Sequence, residues 1–214
     1  MRRGWVKASS KPNRLIQTLL FALLLSPTAQ AFQVQHGGLS VSYSDPRDRL
    51  QLGTVFKAWD AAARDLKALG LPPPTQVRIE AASSAADFAR RTAEPANIAA
   101  STQGAVISTQ RLTALALSGR LPLTIRHEAF HTAQPAGIPR WLAEGLARTF
   151  SGEAASDPQG PTGLSRLSSD ALSEELLGRN PTRLAAAYVE AARRTGQLVK
   201  RRGWKEVIKE LGKL

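Results

Sequence analysis

The sequence predicts an α+β fold, with a small sheet formed early in the chain and a mostly helical second half. Three observations predict it. Short alternating or β-branched stretches occur before residue 110 and helix-periodic stretches dominate afterwards. Apolar content is 43% and charged content 21%, the balance of a chain that buries a core. The chain has 214 residues, enough for one domain, and shows no repeat period.

The N-terminus has the composition of an export signal. Arg2, Arg3, Lys7, Lys11 and Arg14 form a basic start without acids. Leu15 to Leu25 is an apolar run too short to span a bilayer comfortably, and Ala29-Gln30-Ala31 supplies a small-x-small cleavage pattern. Residues 1–31 are therefore expected to be a signal peptide, and residues 32–214 one domain, periplasmic or secreted. An uncleaved membrane anchor is the alternative. The formal net charge is +12, and five of those charges lie in residues 1–31, which leaves +7 on the remainder. Arg193, Arg194, Lys200, Arg201, Arg202, Lys205, Lys209 and Lys213 crowd the C-terminal end. Such a cluster suits an anionic envelope surface, or it is simply a solvated helix face. No nucleic-acid partner is expected for an exported chain. Cysteine is absent, which excludes disulfides, thiolate metal sites, a cysteine nucleophile and a lipoprotein anchor.

The elements follow in order. Leu39 to Tyr43 alternates and predicts a strand. Leu50, Val55, Trp59, Ala62, Leu66 and Leu69 mark a helix, closed by Gly70 and Pro72 to Pro74. Gln76 to Glu80 and Ala105 to Thr109 are two further strands. A short helix follows the Ser84 cap, and another spans Gln110 to Gly119. A helix over 121–134 carries Pro122 in its first turn and is ended by Pro135. Pro139 begins the next, over 140–150. Ser151 to Gly163 is polar and rich in Gly and Pro, and predicts an exposed loop. Three helices close the chain: one capped by Ser168 or Ser169, a long one with its stripe at Leu184, Ala187, Tyr188, Ala191 and Leu198, and one from Trp204.

The helix over 121–134 carries the chemistry. His127 and His131 are two of only three histidines, and His36 is far away. Four residues apart on a helix they point the same way, about 40° apart in projection. Their rings can meet one ion, and Glu128 flanks that face without being forced to bind it. This is the H-E-x-x-H zinc pattern, with Glu128 as general base. A catalytic zinc takes a third protein ligand and keeps one position open. Glu144 is the first candidate, because a tight connection brings its helix back beside the first and Gly145 permits a close approach. Glu153 is the alternative. The bland reading is a helix face, with Glu144 pairing Arg140 or Arg148 at i±4.

"HEAFH" followed by "PRWLAEGLA" resembles the zinc metallopeptidases of the gluzincin type, specifically bacterial peptidase MA-like domains. Their pattern is H-E-x-x-H, a short loop, then W-L-x-E-G-x-A with that Glu as third ligand. The resemblance covers the second half of the chain, closing helices included, and the first half in outline. The gap from His131 to Glu144 is shorter than in thermolysin-like enzymes. The resemblance implies a zincin-like metallopeptidase domain, a small sheet packed on the active-site helix, Zn2+ as cofactor and a peptide or protein substrate. It also puts Tyr188 where the family has a recurring tyrosine, as a donor to the oxyanion; the plain alternative is a core tyrosine. The strand Ala105 to Thr109 is expected to be the sheet edge on which substrate pairs. Two other classes remain: a catalytically inactive zinc-binding or basic envelope-binding module, and an exported structural protein with an accidental motif.

Overall fold

A computed structural model describes residues 31–213, so the expected export signal lies, apart from Ala31, outside the described residues. Among these residues, five strands form one mixed sheet: β1 (Phe32–His36), β2 (Leu39–Tyr43), β3 (Val77–Ala81), β4 (Ala100–Gln103) and β5 (Val106–Thr109). Their order is β1-β2-β3-β5-β4. The two outer pairings are antiparallel hairpins and the inner two are parallel. In β2 and β3 the alternate residues Leu39, Val41 and Tyr43, and Val77, Ile79 and Ala81, are buried. The period-2 pattern therefore turns one face onto the helices.

This order corrects one expectation. The strand at Ala105 to Thr109 is not the edge: β5 lies between β3 and β4, and β4 is the outermost strand on that side. β4 follows from the turn at Gly104, whose φ of +59° suits glycine and folds "ASTQ" back against β5.

Among the described residues there are eight α-helices: α1 (Leu52–Ala68), α2 (Ala85–Thr92), α3 (Leu112–Leu117), α4 (Leu121–Ala133), α5 (Arg140–Ser151), α6 (Ser169–Glu175), α7 (Pro181–Arg202) and α8 (Trp204–Leu211). Leu50 falls outside α1, in a 3-10 turn, and is 82% exposed, against the expectation that it joins the apolar stripe. The main core joins Val55, Trp59, Ala62 and Leu66 of α1 to Leu121, Ile125, Ala129 and Phe130 of α4 and to the inner face of the sheet. Each of the Val, Leu, Ile and Phe side chains among them contributes about 1.5–3 kcal/mol by leaving water. A second cluster, built on Leu164, Leu172, Leu176, Leu184, Ala187 and Ala191, holds α6 against α7.

Gly145 sets the approach of α5 to α7. A Cβ built there would lie 2.5 Å from the Ala191 carbonyl oxygen and 2.6 Å from Thr195 Cγ2. Only glycine lets the two backbones come this close, and Glu144 is fixed by its neighbour's contact.

The C-terminal charge divides in two. Lys200, Arg201, Arg202, Lys205, Lys209 and Lys213 are exposed. Arg193 and Arg194 instead turn inward to the buried Glu190 and to carbonyls of the 160–167 segment. They are fastenings, not part of a free basic surface. Among the described residues, no helix is long and apolar enough to cross a membrane.

Candidate metal centre

Helix α4 carries His127, Glu128 and His131, and it stops where Gln134 becomes extended ahead of Pro135. Pro139, with φ at −55°, starts α5 without needing the N–H it lacks. The return of α5 along α4 brings Glu144 to the two histidines. His127 Nε2 and His131 Nε2 are 3.0 Å apart. Glu144 Oε2 lies 3.4 Å from the first and 3.5 Å from the second. Among the described residues, these three form a group that could hold a metal ion.

The outer ring nitrogens are held as well. His127 Nδ1 lies 2.9 Å from Glu153 Oε2, and His131 Nδ1 lies 3.1 Å from Gln134 Oε1. Glu153 was the alternative third ligand from sequence. The structure puts it on the far nitrogen of His127, outside the triangle, where it orients the ring. Arg148 braces it at 3.4 Å and also pairs with Asp157. One protonation pattern satisfies the three hydrogen bonds of the two rings. Both nitrogens of His127 donate, one to Glu153 and one into the triangle; His131 donates through Nδ1 to Gln134 and accepts through Nε2.

Burial opposes a charged His127, but the bonds to Glu144 and Glu153 outweigh it and raise its pKa to about 10. Burial likewise opposes the charge on Glu144, yet His131 and His127 hold its carboxyl well below the usual range. Glu153 is lowered too, against its burial, chiefly by His127.

Glu128 is buried and accepts a hydrogen bond from the Thr102 hydroxyl at 2.6 Å. Thr102 belongs to β4, and nothing in the sequence spacing marks it. The group opens on a cleft of about 1040 Å³ lined by β4, by the segment from Asp157 to Thr162 and by α7. Tyr188 reaches this cleft from α7. Burial, then the Glu144 carboxylate, raises its pKa, so the hydroxyl keeps its proton at neutral pH. Arg140 places Nη2 3.6 Å from Glu144 Oε1. That contact is the i,i+4 pair expected of the bland reading, but it uses the oxygen turned away from the histidines. The loop expected at Ser151 to Gly163 instead holds a buried Ser151, a 3-10 turn at Glu153–Ser156 and one wall of the cleft.

Among the described residues, no strand pairs with the outer side of β4. The Gln110 N–H donates to the Ala99 carbonyl at 2.9 Å, and the register pairs Ser101 with Ser108 and Gln103 with Val106. In an antiparallel ladder bonded pairs alternate, so the main-chain groups of Ala100 and Thr102 point away from β5.

Comparison with protein-family models, curated proteins and solved structures returned no match, so the reading of the site rests on its own residues and geometry.

Proposed function

We propose that this chain is a zinc-dependent peptidase of zincin-like architecture, exported through its N-terminal segment. The observation that carries the reading is the triangle of His127, His131 and Glu144 with Glu128 beside it in an open cleft. Two ligand atoms at 2.0–2.1 Å from a tetrahedral zinc are about 3.3 Å apart. The separations of 3.0, 3.4 and 3.5 Å suit that ion. Two imidazoles and a carboxylate are also the donor set of catalytic zinc, with a position left for water.

When bound, zinc polarises the scissile carbonyl and brings the pKa of water in the cleft toward neutrality. Glu128 takes the proton from the attacking water and passes it to the leaving amine. Tyr188, protonated at neutral pH, supplies a hydrogen bond to the oxyanion. The free main-chain groups of Ala100 and Thr102 pair with an extended peptide, so affinity comes largely from backbone. Glu153 and Gln134 hold the two rings in the ligating orientation.

Metal analysis of the purified protein beside His131→Ala, with hydrolysis of fluorescein-labelled casein as the second readout, tests this. About one zinc per chain, lost in the variant, and cleavage abolished in Glu128→Gln with zinc retained, are expected. A wild type without zinc after reconstitution would reject the site. Zinc without cleavage would leave an inactive zinc-binding module. The exposed row Lys205, Lys209 and Lys213, with Lys200 and Arg201, would then be its contact with an anionic envelope surface.

A further inference from the structure

The hydrogen bond from Thr102 to Glu128 joins the edge strand to α4 across 26 residues of sequence. It is the side-chain hydrogen bond that Glu128 makes among the described residues, and Glu128 is 5% exposed. A carboxylate accepts through two oxygens. With Oε2 taken by the hydroxyl, Oε1 is left to accept a proton from water. Threonine is stiff at χ1, so a strand-borne Thr aims its hydroxyl with little freedom. The main chain of the same residue faces the open side of the sheet, where a peptide would add as the next strand.

We propose that Thr102 is a positioning residue: its hydroxyl fixes the Glu128 carboxylate in the orientation that receives the proton, and its main chain contacts the substrate. This rests on the peptidase reading above. Substrate binding and base orientation then meet in one residue. A peptide that pairs with β4 stiffens the strand that holds the base, so well-paired substrates turn over faster as well as binding more tightly. The plain alternative is a hydroxyl that merely satisfies a buried carboxylate.

Thr102→Val keeps the shape and removes the hydroxyl; Thr102→Ser keeps the hydroxyl. Zinc content, melting temperature and casein turnover are measured for both in the full chain. For Thr102→Val, turnover is expected to fall about 10-fold or more while half-saturation moves less than about 2-fold, with zinc retained. Thr102→Ser is expected to recover turnover to within about 3-fold. Unchanged turnover in Thr102→Val, or an equal loss in both variants, overturns the proposal. Crystal structures of the zinc-loaded wild type and Thr102→Val separate this claim from the peptidase reading. A Glu128 side chain that leaves its wild-type rotamer in the variant supports positioning. One that keeps the same rotamer overturns it, whether or not casein is cut. A wild type that binds zinc and cleaves nothing overturns the peptidase reading alone.

Discussion

Zinc binding at this site should be linked to the loss of a proton from His127. In the metal-free protein that ring titrates at about 10, because Glu144 and Glu153 outweigh its burial. Ligation through Nε2 requires the Nε2 proton to leave. At about pH 7.5 the ring lies some 2.5 units below its pKa, so deprotonation costs about 3 kcal/mol at 1.36 kcal/mol per unit. Affinity at that pH is then about 300-fold weaker than with the ring already neutral. It tightens about tenfold per unit between about pH 7.5 and 9.5 and levels off above the pKa. Competition against a chelator of known pH dependence measures the slope. Calorimetry in two buffers of different ionisation enthalpy counts the protons released. Water in the site also releases protons, so Glu153→Gln is the control. Removing that carboxylate lowers the His127 pKa and moves the plateau to lower pH, which water ionisation would not do. An affinity flat across this range, or a plateau that does not move in Glu153→Gln, would refute the reasoning.

Three other outcomes follow from the same geometry. Gln134→Ala frees the His131 ring and should weaken zinc binding about 10-fold or more, read by the same competition at one pH. Gly145→Ala places a Cβ 2.5 Å from the Ala191 carbonyl oxygen. Overpacking costs about 1–3 kcal/mol and alanine's helix propensity returns at most about 1, so denaturant unfolding should show net destabilisation, with zinc affinity reduced because Glu144 is displaced. The metal-free protein should lose stability as pH rises. A raised pKa gives stabilisation that is complete below the unfolded value near 6.5 and lost on rising through about 10. Thermal melts in chelator should therefore fall over that window more steeply for wild type than for His127→Asn.

The legible parts of the fold are those where burial imposes a pattern. β2, β3 and β5 can be read because one face of each packs on helices, which forces alternation. β1 and β4 are outer strands. β1 is exposed at four of its five positions, and "ASTQ" of β4 consists of small and polar residues paired through a glycine turn. Neither carries an apolar stripe. Sheet order cannot be read from spacing, which is why the later strand was expected at the edge and Thr102 went unseen. The candidate metal group is legible for the opposite reason. His127, Glu128 and His131 lie within one helix, where spacing dictates direction. Glu144 is reachable by argument because Pro139 starts its helix and Gly145 lets it approach. Glu153 was visible as a carboxylate near the site, but which nitrogen it serves depends on how α5 ends, at Gly152 with φ of +90°.

The polar segment after α5 shows where composition misleads. Gly, Pro and Ser from 151 to 163 read as a solvated loop because their partners lie about thirty residues later, on α7. Glu190 is buried and accepts from Thr162 at 2.7 Å and from Arg194 at 3.0 Å. Arg193 holds the Gly160 carbonyl at 2.8 Å, and Arg194 holds that of Leu167 at 2.9 Å. A buried carboxylate is tolerated only when paired and bonded, and here its pairs are the two arginines that also grip the loop. What looks in sequence like spare positive charge and a loose connection is one network. It fixes one wall of the cleft that β4 also lines.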